Sequence, residues 1–195
     1  KSVRFEGNNY SEEWVKDAEK RGLLNLRRTP EALAQLVTKQ SVKLLTSLGI
    51  FGEGEVHSRY HVRLERYIKD MLIELHTLRE MIDTLVLPAG YDYAGQLTES
   101  AANAKTAGIK VIPQVDAANR IGELISQLES ARTQLHKVIE RAETMHDDPE
   151  KLAEFLTSEG ADRMADVRKA SDALELVVSD DVWPLPKYRE MLFPV

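Results

Sequence analysis

His57, His61 and Glu65 recur at i, i+4 and i+8, a spacing that on a helix aligns two imidazoles and a carboxylate along one face. Such a set has the donors for a divalent metal. The helical zinc-hydrolase pattern, however, requires Glu directly after the first His, and Ser58 stands there. A solvated helical face is the reading this spacing favours. His76, His136 and His146 lie on separate stretches of the chain, form no constellation in sequence, and are expected on the surface. The acidic pairs Glu12-Glu13, Asp147-Asp148 and Asp180-Asp181 are of the type used in two-carboxylate catalysis or magnesium binding. Each falls at an expected helix boundary, where capping and dipole complementation account for the first two.

Phosphate chemistry finds no support. Gly52-Glu53-Gly54 is too short and too acidic for a cradle, and no Gly-x-x-x-x-Gly-Lys-Ser/Thr run occurs. Arg27, Arg28, Arg59, Arg63, Arg66 and Lys69 would suit an anionic partner. Glu65, Asp70 and Glu74 interleave with the latter four, so the mixture reads as a solvated helix and no nucleic acid is expected as partner. From the residues, then, no catalytic, cofactor-binding or metal-binding position is assigned.

Composition narrows the class. The chain has 195 residues, with 26 basic against 32 acidic side chains and a net charge of −6. That length suits one domain, large enough to bury a core without disulfides or a structural metal. Hydrophobic residues make up 43% and charged residues 30%, enough apolar content to offset the entropy of ordering. No Cys is present, which excludes a disulfide framework, a thiolate zinc site and a cysteine nucleophile, and suits a reducing cytoplasm. Charges interrupt every apolar stretch before the ~18 residues of a membrane span, and no signal-like opening is seen, so no membrane role is expected. The chain starts at Lys1, as a processed or excised piece would.

The elements that must carry these residues read as helices throughout. Ser11 fits an N-cap before Glu12-Glu13-Trp14, and Gly22 a C-terminal stop. Thr29-Pro30-Glu31 opens a second helix expected to reach Leu48, with Gly49 ending it. The longest periodic segment follows Gly54: Tyr60, Leu64, Tyr67, Met71, Leu75, Leu78, Ile82 and Leu85 form a heptad seam with one stutter after Met71. Pro88 is expected to kink this helix before it resumes to Thr106 and stops at Ala107-Gly108. From Pro113 to about Met145 a second seam, Ile121, Leu124, Leu128, Ala131, Leu135, Val138, Ala142 and Met145, alternates steps of three and four. Asp147-Asp148-Pro149-Glu150 caps a fifth segment, and Gly160 is expected to split it from a sixth that runs from Ala161 to about Ser179. No stretch alternates as a strand does. The expectation is an all-α antiparallel bundle on two long helices, 54–106 (kinked near Pro88) and 113–145, with shorter flanking helices.

The tail is loaded with apolar area: Trp183, Tyr188 and Phe193, with Leu185, Met191 and Leu192, surround Pro184 and Pro186. Docking across the same bundle is the favoured reading, and insertion into a neighbouring domain or subunit the alternative.

Literal segments carry more. Gly7-Asn8-Asn9-Tyr10-Ser11-Glu12-Glu13-Trp14, Glu19-Lys20-Arg21-Gly22-Leu23, Thr29-Pro30-Glu31-Ala32-Leu33, Arg59-Tyr60, Leu64-Glu65-Arg66-Tyr67, Leu87-Pro88-Ala89 and the ending Trp183-Pro184-Leu185-Pro186-Lys187-Tyr188-Arg189-Glu190-Met191-Leu192-Phe193 resemble, in order, the region after the catalytic core of type III glutamine synthetases. The resemblance runs from Phe5 to Phe193. It implies a cytoplasmic parent enzyme of nitrogen metabolism that joins ammonia to glutamate with ATP and Mg and works as a large oligomer of rings. Residues 1–28 would continue from the catalytic domain, and 29–195 would be the C-terminal helical bundle. The family's nucleotide motif and metal-binding carboxylate strands are missing from this chain. No catalytic, cofactor or metal residue is therefore carried over, and the chain alone is expected to be inactive. Its expected partners are the synthetase's own catalytic domain and neighbouring subunits in a homo-oligomer. A free-standing helical adaptor is the alternative.

Overall fold

A computed structural model describes residues 5–110 and 112–192. Among these residues every regular element is helical, and the protein is all-α. Two compact units are resolved, residues 1–65 and 66–195.

In the first unit, α1 (Glu12–Lys20) starts where Ser11 Oγ accepts from the Trp14 N–H at 3.3 Å. It ends at Gly22, whose φ of +73° is a left-handed conformation that costs glycine little. α2 (Thr29–Ala34) follows, with Pro30 in its first turn. Thr29 is the first helical residue and not the cap; Arg28 holds the cap position without a side-chain hydrogen bond. The expected single helix to Leu48 is broken. After a 3₁₀ turn at Gln35–Val37, Thr38 turns extended (φ −63°, ψ 148°), and its Oγ1 accepts from the Ser41 N–H at 3.3 Å to start α3 (Lys39–Ser47). A threonine side chain that can satisfy an orphan N–H competes with helix continuation, and here it wins. Gly49, at φ +65°, closes α3.

α4 (Glu53–Met81) begins in the first unit and ends in the second, and continues through a π-helical turn (Ile82–Val86) into α5 (Leu87–Thr106). The expected kink at Pro88 takes the form of that wide turn. Proline lacks an N–H and its ring crowds the carbonyl four residues back. In the π turn the Leu87 N–H bonds to the Ile82 carbonyl, five residues back, which opens the backbone just ahead of the ring. The extra residue also moves the seam by one place. Val86 and Leu87 are buried, whereas Leu85, expected in the seam, is 38% exposed.

The core of the second unit is three helical segments. α6 (Ile112–Glu143) packs against α5 on one side and against α8 (Ala161–Glu175) on the other. Its pairing with the preceding segment is antiparallel, since His76, Asp83 and Tyr91 meet Glu143, Arg132 and Glu129 in descending order. Leu128 and Leu135 are fully buried, as the seam requires. Ile125 and Ile139, outside that seam, are buried as well, because a helix with two partners buries a wider face than a two-stranded pair. α7 (Pro149–Phe155) leads through a second π turn (Leu156–Gly160) into α8. Gly160 therefore does not split the helix: it is buried inside it, and the Ala161 N–H reaches the Leu156 carbonyl. The last element, α9 (Tyr188–Leu192), is a short turn of helix.

Candidate functional site

The residues singled out by type fall into three groups. His57, His61 and Glu65 stand exposed on α4, and no cluster of three or more His, Asp or Glu suited to a metal forms among the described residues. Gly52 donates its N–H to Glu55 Oε2 at 2.7 Å, so the glycine-flanked acidic run serves the start of the helix. Arg59 lies over the Phe51 ring, 4.4 Å from its centre, while Arg66 pairs loosely with Asp70 at 3.7 Å. Both are solvent-side contacts of the kind that contribute little.

The acidic pairs act as helix caps and ties. Glu12 and Glu13 occupy the first turn of α1. Asp148 caps α7 by accepting from the Lys151 N–H at 3.1 Å, and its other oxygen lies 2.7 Å from Lys151 Nζ. Those hydrogen bonds, the side-chain one foremost, hold the Asp148 carboxyl below its ordinary range and the Lys151 ammonium above its own. Asp180 accepts from Lys187 Nζ, which ties the start of the tail to its end.

Sequence reasoning missed a polar seam between the π turn and α6. Asp83, on the π turn, accepts from Arg132 Nε, and its second oxygen lies 3.4 Å from His136 Nε2. One helical turn away the Tyr91 hydroxyl donates to Glu129 Oε1, and His76 Nε2 lies 3.6 Å from Glu143 Oε1. His76 and His136 thus sit between helices, each facing a carboxylate, and of these three histidines His146 alone is well exposed. The available signal was Glu129, Arg132 and His136 at steps of three and four on one face of α6. Its partners lie about 40 to 50 residues away in sequence, where spacing rules say nothing. The hydrogen bond to Asp83 raises the Arg132 pKa, and the bond to Glu129 raises that of Tyr91. Both shifts keep the group in the charge state it already has at neutral pH, and the two contacts join α6 to the helical run packed against it.

The aromatic residues divide by position. Tyr60 is buried, and Tyr67 is half-buried with its hydroxyl 2.5 Å from Thr157 Oγ1. Trp183 is buried on the second unit and lines a cavity with Leu78, Met81, Ile82 and Val86. The tail therefore docks on its own bundle at Trp183, while Met191 and Leu192 remain exposed. Phe193 and the side chain of Tyr188 lie outside the described residues. At the other end the Phe5 and Trp14 rings lie 4.6 Å apart, tilted by 38°, yet Tyr10 is fully exposed. α1 and α3 bury no residue, and Leu23, Leu24, Leu44, Leu48 and Ile50 are exposed.

Comparison with known proteins supplies what the side chains do not. Residues 1–105 match the family described as the glutamine synthetase C-terminal domain. A type-3 glutamine synthetase of Dictyostelium discoideum is 33% identical over 98% of this chain and 27% of its own length. A glutamine synthetase of Bacteroides fragilis is 35% identical over 98% of this chain and 27% of its own, and one of Butyrivibrio fibrisolvens 31% identical over 99% and 28%. The chain thus spans little more than a quarter of the relatives it matches. It belongs to the glutamine synthetase C-terminal domain family and resembles that part of the type-3 enzymes.

Proposed function

We propose that this chain is a non-catalytic structural domain of a cytoplasmic type III glutamine synthetase, which braces the catalytic body and joins subunits in a homo-oligomer. The observation that carries this reading is the first unit. α1 and α3 bury nothing, and Leu44, Leu48 and Ile50 stand exposed at the end of α3. Apolar area of this kind favours a protein surface over water, at about 25 cal/mol per Å² covered. The partners that fit are the catalytic domain, from which residues 1–28 would continue, and a neighbouring subunit. Ligation of ammonia to glutamate, with ATP and Mg, would belong to the parent enzyme.

Light scattering on the purified 195-residue chain is the test. Concentration-dependent self-association is expected, and a Leu44→Glu, Leu48→Glu double variant should abolish it. A strictly monomeric chain at high concentration counts against the reading and favours a free-standing adaptor. In an assay with glutamate, ammonia, ATP and magnesium, no turnover is expected; turnover that responds to substitutions within this chain would refute the non-catalytic assignment.

A further inference from the structure

Charge is divided unevenly along the chain. Residues 1–65 carry 11 basic against 9 acidic side chains, a net of +2, and residues 66–195 carry 15 against 23, a net of −8. Each unit also exposes apolar residues within a stretch of a single charge sign. From Ala32 to Gly52 the charged residues are Lys39 and Lys43, both basic. They stand exposed on α3, and neither ammonium has a hydrogen bond or ion pair among the described residues. Leu44 and Leu48 lie one helical turn apart on α3 and share an exposed face, with Lys43 beside it and Ile50 just past its end. This surface is apolar with a basic rim.

The second unit presents the opposite sign. Leu176, the C-cap of α8, is 85% exposed, more than any other large apolar side chain described in that unit. Between Ala170 and Pro186 the charged residues are Asp172, Glu175, Asp180 and Asp181, all acidic. Arg168 balances Asp172, and Lys187 is tied to Asp180. Glu175 and Asp181 are left without a cationic partner among the described residues. The negative end of the α8 dipole adds to their charge at Leu176.

These two surfaces suit each other, and neither suits itself. Two copies that met through α3 alone would bring their lysines together, and two that met at Leu176 alone would bring carboxylates together. With α3 of one copy against the α8 end of another, apolar area is covered on both sides and lysines face acids. We propose that copies of this chain associate head to tail, the Leu44 and Leu48 face of α3 in one docking on the acidic Leu176 end of α8 in the next. Such a contact is heterologous: every pair keeps one free surface of each kind, so the contact can repeat around a ring. This pairing rests on the domain's role in joining subunits and supplies the second surface which that role requires.

Sedimentation velocity on the 195-residue chain tests the pairing. The parent should associate as its concentration rises, and Leu176→Lys should weaken that association about tenfold or more, as should the Leu44→Glu, Leu48→Glu pair. All three positions are exposed, and a circular dichroism spectrum matching the parent's checks that each variant folds. An equimolar mixture of the two variants should associate again, because each supplies the surface that the other has lost. Raising NaCl from about 0.05 to 0.5 M should weaken the parent's association, since screening removes the attraction between lysines and acids. Contact between two α3 surfaces would strengthen instead. Association that survives Leu176→Lys, fails to return in the mixture, or strengthens with salt would overturn the head-to-tail contact while leaving a subunit-joining role intact. A parent chain that stays monomeric at high concentration would overturn both.

Discussion

Adding one methyl group at Gly90 should destabilise the second unit, although glycine is a poor helix residue and alanine the best. Gly90 is buried within α5. A Cβ there would lie 3.1 Å from Leu174 Cδ2 and 3.2 Å from Ile125 Cγ1, so the position faces side chains of both α6 and α8. Leu174 is fully buried and Ile125 nearly so, and a close-packed interior gives such side chains little room to retreat. Overpacking of this size costs about 1 to 3 kcal/mol. Gly→Ala within a helix returns about 0.5 to 1 kcal/mol. The net expectation for Gly90→Ala is a loss of about 0 to 2.5 kcal/mol.

Gly95 provides the internal control. It lies on the same helix, is exposed, and would place its Cβ in open space. Gly95→Ala should therefore keep the whole helical gain of about 0.5 to 1 kcal/mol. Thermal melts followed by circular dichroism resolve the contrast, since 1 kcal/mol shifts the midpoint by about 2 to 4 °C in a chain of this size. If Gly90→Ala proved as stable as Gly95→Ala, the three helices would not meet as closely as the Cβ distances require, and the reasoning would fail.

Other expectations rest on different contacts. Leu128→Ala and Leu135→Ala, both at fully buried positions, should each cost about 2 to 5 kcal/mol in urea denaturation, against less than about half a kcal/mol for the exposed Leu176→Ala. Asp83→Ala leaves the Arg132 guanidinium and His136 without their shared carboxylate and should cost about 1 to 3 kcal/mol; a double-mutant cycle with Arg132→Ala should return positive coupling, and strict additivity would show the pair to be incidental. The Asp148 carboxyl titrates below its ordinary value, so its contribution is complete above the unfolded value near pH 4 and fades as pH falls through the lower folded value. Melting temperatures across pH 5 to 2 should accordingly fall less for Asp148→Asn than for the parent, and equal slopes would contradict the capping role.

Element existence was legible in the sequence because it depends on local signals. Ser11, Gly22, Gly49 and Gly108 mark ends where a side-chain acceptor or a left-handed residue is needed, and the structure uses each in that way. The seam of α6 was legible for the same reason: a 3–4 alternation of apolar residues sets one face of a helix. What escaped was whatever depends on a second element. Thr38 breaks a helix that periodicity would continue, since its hydroxyl offers Ser41 an alternative partner. Ile125 and Ile139 are buried because α6 has two neighbours, a fact that no single seam contains.

Pro88 and Gly160 show the limit most clearly, because both are residues that end helices and neither ends one here. In each case the chain widens to a five-residue turn and continues. At Pro88 the wide turn relieves the ring's clash, and it also carries Asp83 to the α6 interface, where Arg132 and His136 meet it. The inserted residue thus does two jobs: it keeps a 54-residue helical run unbroken and re-aims the faces on either side of it. Sequence rules forecast the disturbance at the proline but not its form. With the π turn, Val86 and Leu87 are buried and Leu85 is left 38% exposed, the reverse of what the unbroken seam would give at Leu85. The length kept at this cost in local geometry belongs to a single helical run, which begins in the first unit and ends in the second.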